Sequence, residues 1–320
     1  MTLQYLREWR VVVNGVELSG DDTGRGFKVR FDTHQALSST PHHANIYIYN
    51  LSAQTLARMQ KEKGRVELYA GYRGASGKIF GGQAIQVRAG RENVVDSYVH
   101  VLATSSEDAR NYAITNEALA KGHTLNDRLQ LAVKAMREHG VKPGTMDNLG
   151  SRQFPRNYVF SGMTHDLLRE VCEAAGATWH IQDDMLTVLN SGSTLPGGVI
   201  EMNSETGMVG LPEQTLGGVI VRCLLNPRIY PGSRIHINES SIQRAAFSPT
   251  TRDSAQNVEL EKGLLSLAAD GIYKVWQVGH VGDTRGDPWW NEMVCTKQDL
   301  PLAAKGLMLP NGIPGDGAQQ

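Results

Sequence analysis

Apolar positions in the first hundred residues recur with a period of two. Phe27, Val29 and Phe31 alternate with Lys28 and Arg30, and Ile46-Tyr47-Ile48-Tyr49 is a β-branched and aromatic alternation. Successive side chains of a strand point to opposite faces, so this alternation predicts half-buried strands. Val66, Leu68, Ala70 and Tyr72 share a face opposite Glu67 and Tyr69, and 79–87 and 98–102 repeat the pattern. Gly71, Gly74 and Gly77 mark a hairpin connection between two of these strands. One helix is expected inside the β region, over 53–63. Ser52 is placed to cap its free N–H groups, Leu51 to meet Leu56 as a hydrophobic staple, and Gly64 to end it in the left-handed conformation.

The middle third changes period. Thr124-Leu125-Asn126-Asp127 has the form of a capping box with Asp in place of Glu, and Leu125, Leu129, Ala132, Val133 and Met136 follow at helical spacing until Gly140. A second amphipathic segment sets Met163, Leu167, Leu168, Val171, Cys172 and Ala175 on one side and stops at Gly176, with Ser161 or Thr164 as its cap. Thr178-Trp179-His180-Ile181 and Met185-Leu186-Thr187-Val188-Leu189 then flank Gln182-Asp183-Asp184, which predicts a β-hairpin. Residues 190–198, rich in Ser and Gly with Pro196, read as a connector. The last third returns to alternation at Val219, Val221 and Cys223, at Ile235-His236-Ile237, and over 271–281 and 290–296. Residues 243–256 read as a polar loop and 309–320 as a loose tail. The order is β-rich, α+β, β-rich: a mainly β chain with an α+β insertion.

A chain of 320 residues is about two domains' worth at roughly 150 residues each. It can bury roughly three quarters of its unfolded surface and needs no staple. Lys and Arg total 32 against 33 Asp and Glu, a formal charge of −1, which argues against coating nucleic acid or an anionic membrane by bulk charge. Cys172, Cys223 and Cys295 are odd in number and in no metal-ligand spacing, so neither a disulfide framework nor a metal is expected. No signal peptide is visible at 1–10, and nowhere do 18 apolar residues run together.

Candidate chemistry fails on its own terms. Gly71-Tyr72-Arg73-Gly74-Ala75-Ser76-Gly77-Lys78 has a superficial phosphate-loop look. However, Tyr72 and Ile79 stand where a glycine and a Ser or Thr are required, and the segment joins strands rather than opening a helix. Asp183-Asp184 is a carboxylate pair, but general acid/base work needs two groups converging from separate backbone positions. Adjacent residues at a hairpin tip are expected to serve the turn and point apart into water. His34, His42 and His43 have nothing that fixes them together as ligands. Trp289-Trp290 reads as one ring in the core and one at an interface rather than a sugar-stacking platform. No catalytic, cofactor-binding or metal-binding residue is assigned. A peptidoglycan- or glycan-acting enzyme using Asp183, Asp184 or Glu170, or a carbohydrate-binding module using Trp289 and Trp290, stands as the alternative reading.

Three stretches together resemble the baseplate hub proteins of long-tailed bacteriophages. Ala44-Asn45-Ile46-Tyr47-Ile48-Tyr49-Asn50-Leu51-Ser52, the strand Val66-Glu67-Leu68-Tyr69-Ala70-Gly71-Tyr72 and Ile79-Phe80-Gly81-Gly82 are similar to the family's first barrel. Phe160-Ser161-Gly162-Met163-Thr164 with Leu167-Leu168, Trp179-His180-Ile181-Gln182 and Leu186-Thr187-Val188-Leu189 resemble its helix-plus-hairpin insertion. The run from Gly218 to Pro227, Ile229-Tyr230-Pro231-Gly232, Gly271-Ile272-Tyr273-Lys274-Val275, His280-Val281-Gly282-Asp283-Thr284 and Trp290 resemble its second barrel. The resemblance implies two β-barrel domains, 1–105 and 201–300, flanking an α+β insertion at 106–200, with a tail at 301–320. It implies a non-enzymatic homotrimer whose six barrels form a ring of approximate sixfold symmetry. Such a ring adapts a sixfold tail tube protein to a threefold central spike protein, with tape measure and baseplate wedge proteins as further neighbours. DNA would pass through the lumen without specific binding, and the chain would be a virion protein of the tail baseplate, assembled in the host cytoplasm. No cofactor is implied.

Overall fold

The computed structural model describes residues 4–21, 23, 26–60, 64–215, 218–237, 243–244 and 271–297. The chain opens with a hairpin, β1 (Arg7–Val13) and β2 (Val16–Asp21), that turns on Asn14 and Gly15 at φ of +51° and +77°. Two consecutive left-handed residues match the twist of the flanking strands, which is why an Asn-Gly pair sits there. The first β region continues through β3 (Val29–Ala36), β4 (His43–Tyr49), α1 (Ala53–Met59), β5 (Arg65–Tyr72), β6 (Gly77–Arg91) and β7 (Ser97–Thr104). Its antiparallel order is β3-β4-β7-β6-β5-β1-β2. The first half of β6 pairs with β5 and the second half with β7, with a register shift between Ala84 and Gln86. That bulge turns the sheet, so that Val11 and Val13 of β1 and Val29 and Phe31 of β3 close on one apolar core.

Ser52 caps α1 by accepting the Thr55 N–H, as expected. The helix is shorter than expected, ending at Met59 with Gln60 as its cap. Gly64 is needed for a different reason: a Cβ there would collide with the Asn14 side chain.

The insertion comprises α2 (Glu107–Tyr112), β8 (Ile114–Leu119), α3 (Leu125–Glu138), β9 (Lys142–Met146), β10 (Tyr158–Met163), α4 (Thr164–Ala175), β11 (Ala177–Gln182) and β12 (Met185–Asn190). Thr124 and Asp127 form the reciprocal capping box at α3, and Gly176 at φ +65° closes α4. Neither Ser161 nor Thr164 caps α4. Met163 holds the cap position without a side-chain bond, Ser161 lies in β10, and the Thr164 hydroxyl is buried against that of Thr115. Strands β8 and β10 form a two-stranded ribbon, and β11-β12-β9 a second sheet in which β9 runs parallel to β12. Leu129, Val133, Leu167, Leu168, Val171, Trp179 and Val188 give the insertion a core of its own.

The last region contains β13 (Ile200–Met202), β14 (Glu213–Thr215), β15 (Gly218–Leu224), β16 (Arg234–Ile237), β17 (Gln243–Arg244), β18 (Ile272–Asp283) and β19 (Trp289–Lys297). Its core holds Val219, Val221, Ile235, Tyr273, Val275 and Met293. Gln243 and Arg244, expected in a polar loop, pair with β14. The rest of that loop, 245–256, and the tail at 301–320 lie outside the described residues.

The two β regions do not stand apart. β18 pairs with β3 from Gln277 opposite Ala36 to Asp283 opposite Arg30, so their strands join in one 14-stranded sheet. Under that ladder the buried side chains turn polar: Thr33, Gln35, His280 and Asn291 lie between the two apolar cores. Thr33 Oγ1 meets His280 Nδ1 at 2.9 Å, and Gln35 donates to the Ile79 carbonyl. Trp289 of β19 crosses the boundary into the first core, where it meets Phe31 edge-on at 5.4 Å and donates to the Gly71 carbonyl.

Candidate functional site

The sheet and the insertion meet at one joint, and it collects residues that are far apart in the chain. The β11–β12 hairpin supplies its tip. Asp183 and Asp184 are both left-handed, at φ +51° and +60°, the backbone of a two-residue turn that Asp tolerates because its short polar side chain bonds locally. The turn itself is as expected, but the side chains do not point into water. Asp183 meets Lys78 Nζ at 3.1 Å, and Asp184 meets Arg65 at 2.6 Å and accepts a hydrogen bond from Ser106 at 3.3 Å. The reason is the surface beneath: a Cβ on Gly81 would stand 2.5 Å from Asp183 Oδ1, so glycine lets the tip seat against β6.

The two carboxylates diverge to separate cations rather than converge on one substrate position. Burial raises Asp183 above the usual carboxylate range, against the pull of Lys78. The guanidinium of Arg65 is raised by its bonds to Glu67 and Asp184. Arg65 remains half exposed, so its ion pair orients the tip more than it stabilises it, at about 0–1 kcal/mol.

Behind the tip the joint is buried. His180 of β11 stacks on His42 at 5.4 Å between ring centroids, and both rings are almost fully enclosed. The His42 ring keeps one hydrogen bond, Nε2 to the Ala36 carbonyl at 3.0 Å, whereas among the described residues neither ring nitrogen of His180 has a hydrogen-bond partner. Burial pushes His42 down to about 4 and His180 well below the ordinary histidine value. From the last region Lys274 reaches in, donating to the Ser191 carbonyl at 3.3 Å, and burial lowers it to about 8. Tyr230, also of the last region, donates to the Lys78 carbonyl at 3.3 Å. All three regions therefore touch at this joint.

The other candidates scatter. His34 stacks on His43 across the β3–β4 ladder at 5.0 Å, and both act on His42 as like charges rather than joining it as ligands. Among the described residues no group of three or more His, Cys, Asp or Glu side chains is placed to hold a metal ion. Glu170 on α4 is taken by Arg128 at 3.2 Å and by the Tyr158 hydroxyl at 3.0 Å, all within the insertion. Trp289 is enclosed, and Trp290 lies half-buried with Arg222 over its ring at 5.1 Å, so the pair offers no shared stacking platform. Residues 71–78 make the β5–β6 connection. Cys172, Cys223 and Cys295 are buried free thiols. Sequence reasoning missed Arg65, Lys78, His180 and Lys274. The Gly81-Gly82 pair was the signal for a close approach at this place.

A family model described as baseplate hub gp41 matches residues 27–246. Two solved structures share the fold. The 43 kDa tail protein of prophage MuSo2 from Shewanella oneidensis superimposes with a TM-score of 0.57 at 8% identity, over 91% of this chain and 98% of that one. The tail protein from Neisseria meningitidis MC58 gives 0.57 at 10% identity, over 92% and 97%. No curated protein sequence matches the chain.

Proposed function

The chain belongs to the baseplate hub gp41 family, and from that premise we propose that it is a structural hub: three copies form a ring of approximate sixfold symmetry that adapts a tail tube to a central spike. As a member of this family it is a component of the virion tail. The observation that carries the adaptor reading is the paired build of the molecule. Two β regions, each with its own apolar core, are held in fixed relation by the β3–β18 ladder and by Trp289. Three such chains present six β units, and a ring covers lateral sheet edges that would otherwise recruit foreign strands. In this reading each β region acts as a barrel, the insertion at 106–200 is carried on the outside by the joint, and tail tube, spike, tape measure and wedge proteins are the neighbours.

A near-neutral chain suits a lumen through which DNA slides without being gripped. The acid/base alternative loses its support, because Asp183, Asp184 and Glu170 are each committed to a separate cation. The test is electron microscopy of the purified chain, alone and mixed with the tail tube and spike proteins from the same virion. Rings of three chains with six lobes are expected. A chain that stays monomeric in both conditions, or that occupies the virion anywhere but the tube–spike junction, overturns the proposal.

A further inference from the structure

We propose that the buried His42–His180 contact is an acid-sensitive latch that holds the insertion on the β platform and lets it swing free when the rings are protonated. The geometry argues for it in three steps. First, the contact spans the joint: His42 belongs to the loop before β4 and His180 to β11, so separating the insertion separates the rings. Second, the neutral form is the one that fits. Both rings are enclosed, and among the described residues His180 has no hydrogen-bond partner at either nitrogen, so a proton there would place a charge in a buried, low-dielectric site. Third, among the described residues the titratable groups that act on the two rings are imidazoles and a lysine rather than carboxylates. From the first region, His34 and His43 lie behind His42 and act on it as like charges. Lys78 and Arg65 are there too, but they already hold Asp183 and Asp184. Arg110 of α2 sits over Trp179, the residue before His180. From the last region comes Lys274, a cation that acts on His180 directly. Asp147 faces Lys274 and accepts the Asn190 N–H.

The sign follows from linkage. His42 is lowered in the closed joint and returns to its ordinary value when opened to water, so the open state binds more protons as pH falls from about 6.5 toward about 4. The latch is therefore full strength above that interval and weakens through it. His180 shifts in the same direction. Asp183 works the other way: its carboxyl is raised by burial in the closed joint, so its protonation favours that joint above the ordinary 3.8 and offsets part of the histidine effect. From His42 alone, the opening equilibrium at pH 5 rises roughly 30-fold over its value at pH 7.5.

The measurement is hydroxyl-radical footprinting of the full chain at pH 7.5 and pH 5, corrected for the intrinsic reactivity of each side chain. Modification of His180 at the joint is expected to rise about 30-fold, while Ile46 and Val101 in the first core and Leu168 and Val188 in the insertion's core hold, because the insertion moves as a folded unit. His42→Phe should flatten the rise at His180. An equal rise at the joint and in the two cores, no rise at the joint, or a His42→Phe profile that overlays the parent, overturns the proposal. The comparison of joint and core side chains in the unmodified chain decides the matter even where the variant does not fold. It also leaves the ring untouched, so the latch and the hub reading fail separately.

Discussion

At the scale of single residues, the glycines and the two tryptophans separate most sharply by environment. Gly81 admits the acidic hairpin tip, so Gly81→Val should force Asp183 and the β6 backbone apart. A loss of about 1–3 kcal/mol is expected, the usual range for overpacking, read as a lower urea midpoint. Trp289 and Trp290 are neighbours in sequence with opposite fates. Trp289→Ala removes a ring enclosed among Phe31 and the first core and should cost about 3–5 kcal/mol. Trp290→Ala strips a half-buried ring beneath Arg222 and should cost less than about 1 kcal/mol. Equal losses for the two would refute this assignment of core and surface. The alternation at the start of β19 made one inward ring legible, but not which core receives it.

At the scale of elements, local chemistry read well and closures over distance did not. The α3 capping box is written in Thr124 and Asp127. Thr124→Ala should lower stability by about 1 kcal/mol, because it leaves the Asp127 N–H of the first turn without its acceptor. Thermal unfolding monitored at the helical band is the check, and an unchanged midpoint would show that the cap is redundant. The β11–β12 hairpin was equally legible, since the turn and both strands are contiguous in the chain. Strand β9 was not. It is short, carries Pro143 and Gly144, and pairs parallel to β12 some 40 residues later, a partnership with no local signature. Strand β10 was absorbed into the approach to α4, because Met163 fits the helical stripe and Ser161 a cap as well as they fit a strand. The C-terminus of α1 was placed at Gly64 by its residue type, whereas the helix stops a turn earlier and the glycine answers to Asn14 across the fold.

At the scale of the whole molecule, the β3–β18 ladder makes the two β regions depend on each other while the insertion does not share their cores. A fragment of residues 106–196 should fold alone around Leu129, Leu167, Val171 and Trp179 and give dispersed amide resonances. A fragment of residues 1–105 should not remain soluble and folded. It lacks Trp289 and Leu225 from its core and bares the edge of β3 that β18 covers. A well-folded 1–105 fragment would show instead that the ladder joins two independent units. The polar layer of Thr33, Gln35, His280 and Asn291 beneath the junction fits the same picture. A one-residue slip of β18 against β3 would separate Thr33 from His280 and leave both buried without partners, so the layer selects one register.

The amino-acid sequence by itself determined the elements with a clear period, cap or turn, such as β4, α3, α4 and the β11–β12 hairpin, the division into β-rich, α+β and β-rich stretches, and a resemblance strong enough to place the family. These follow from side-chain period, capping and turn chemistry, all of which act over a few residues. Only the tertiary structure decided that β3 and β18 pair, that Trp289 fills the first region's core, and that Asp183, Asp184, His42, His180 and Lys274 meet at one joint. Those contacts join residues up to some 250 positions apart. Their free energy comes from burial and pairing once the chain is compact, and no short-range pattern in the sequence encodes it.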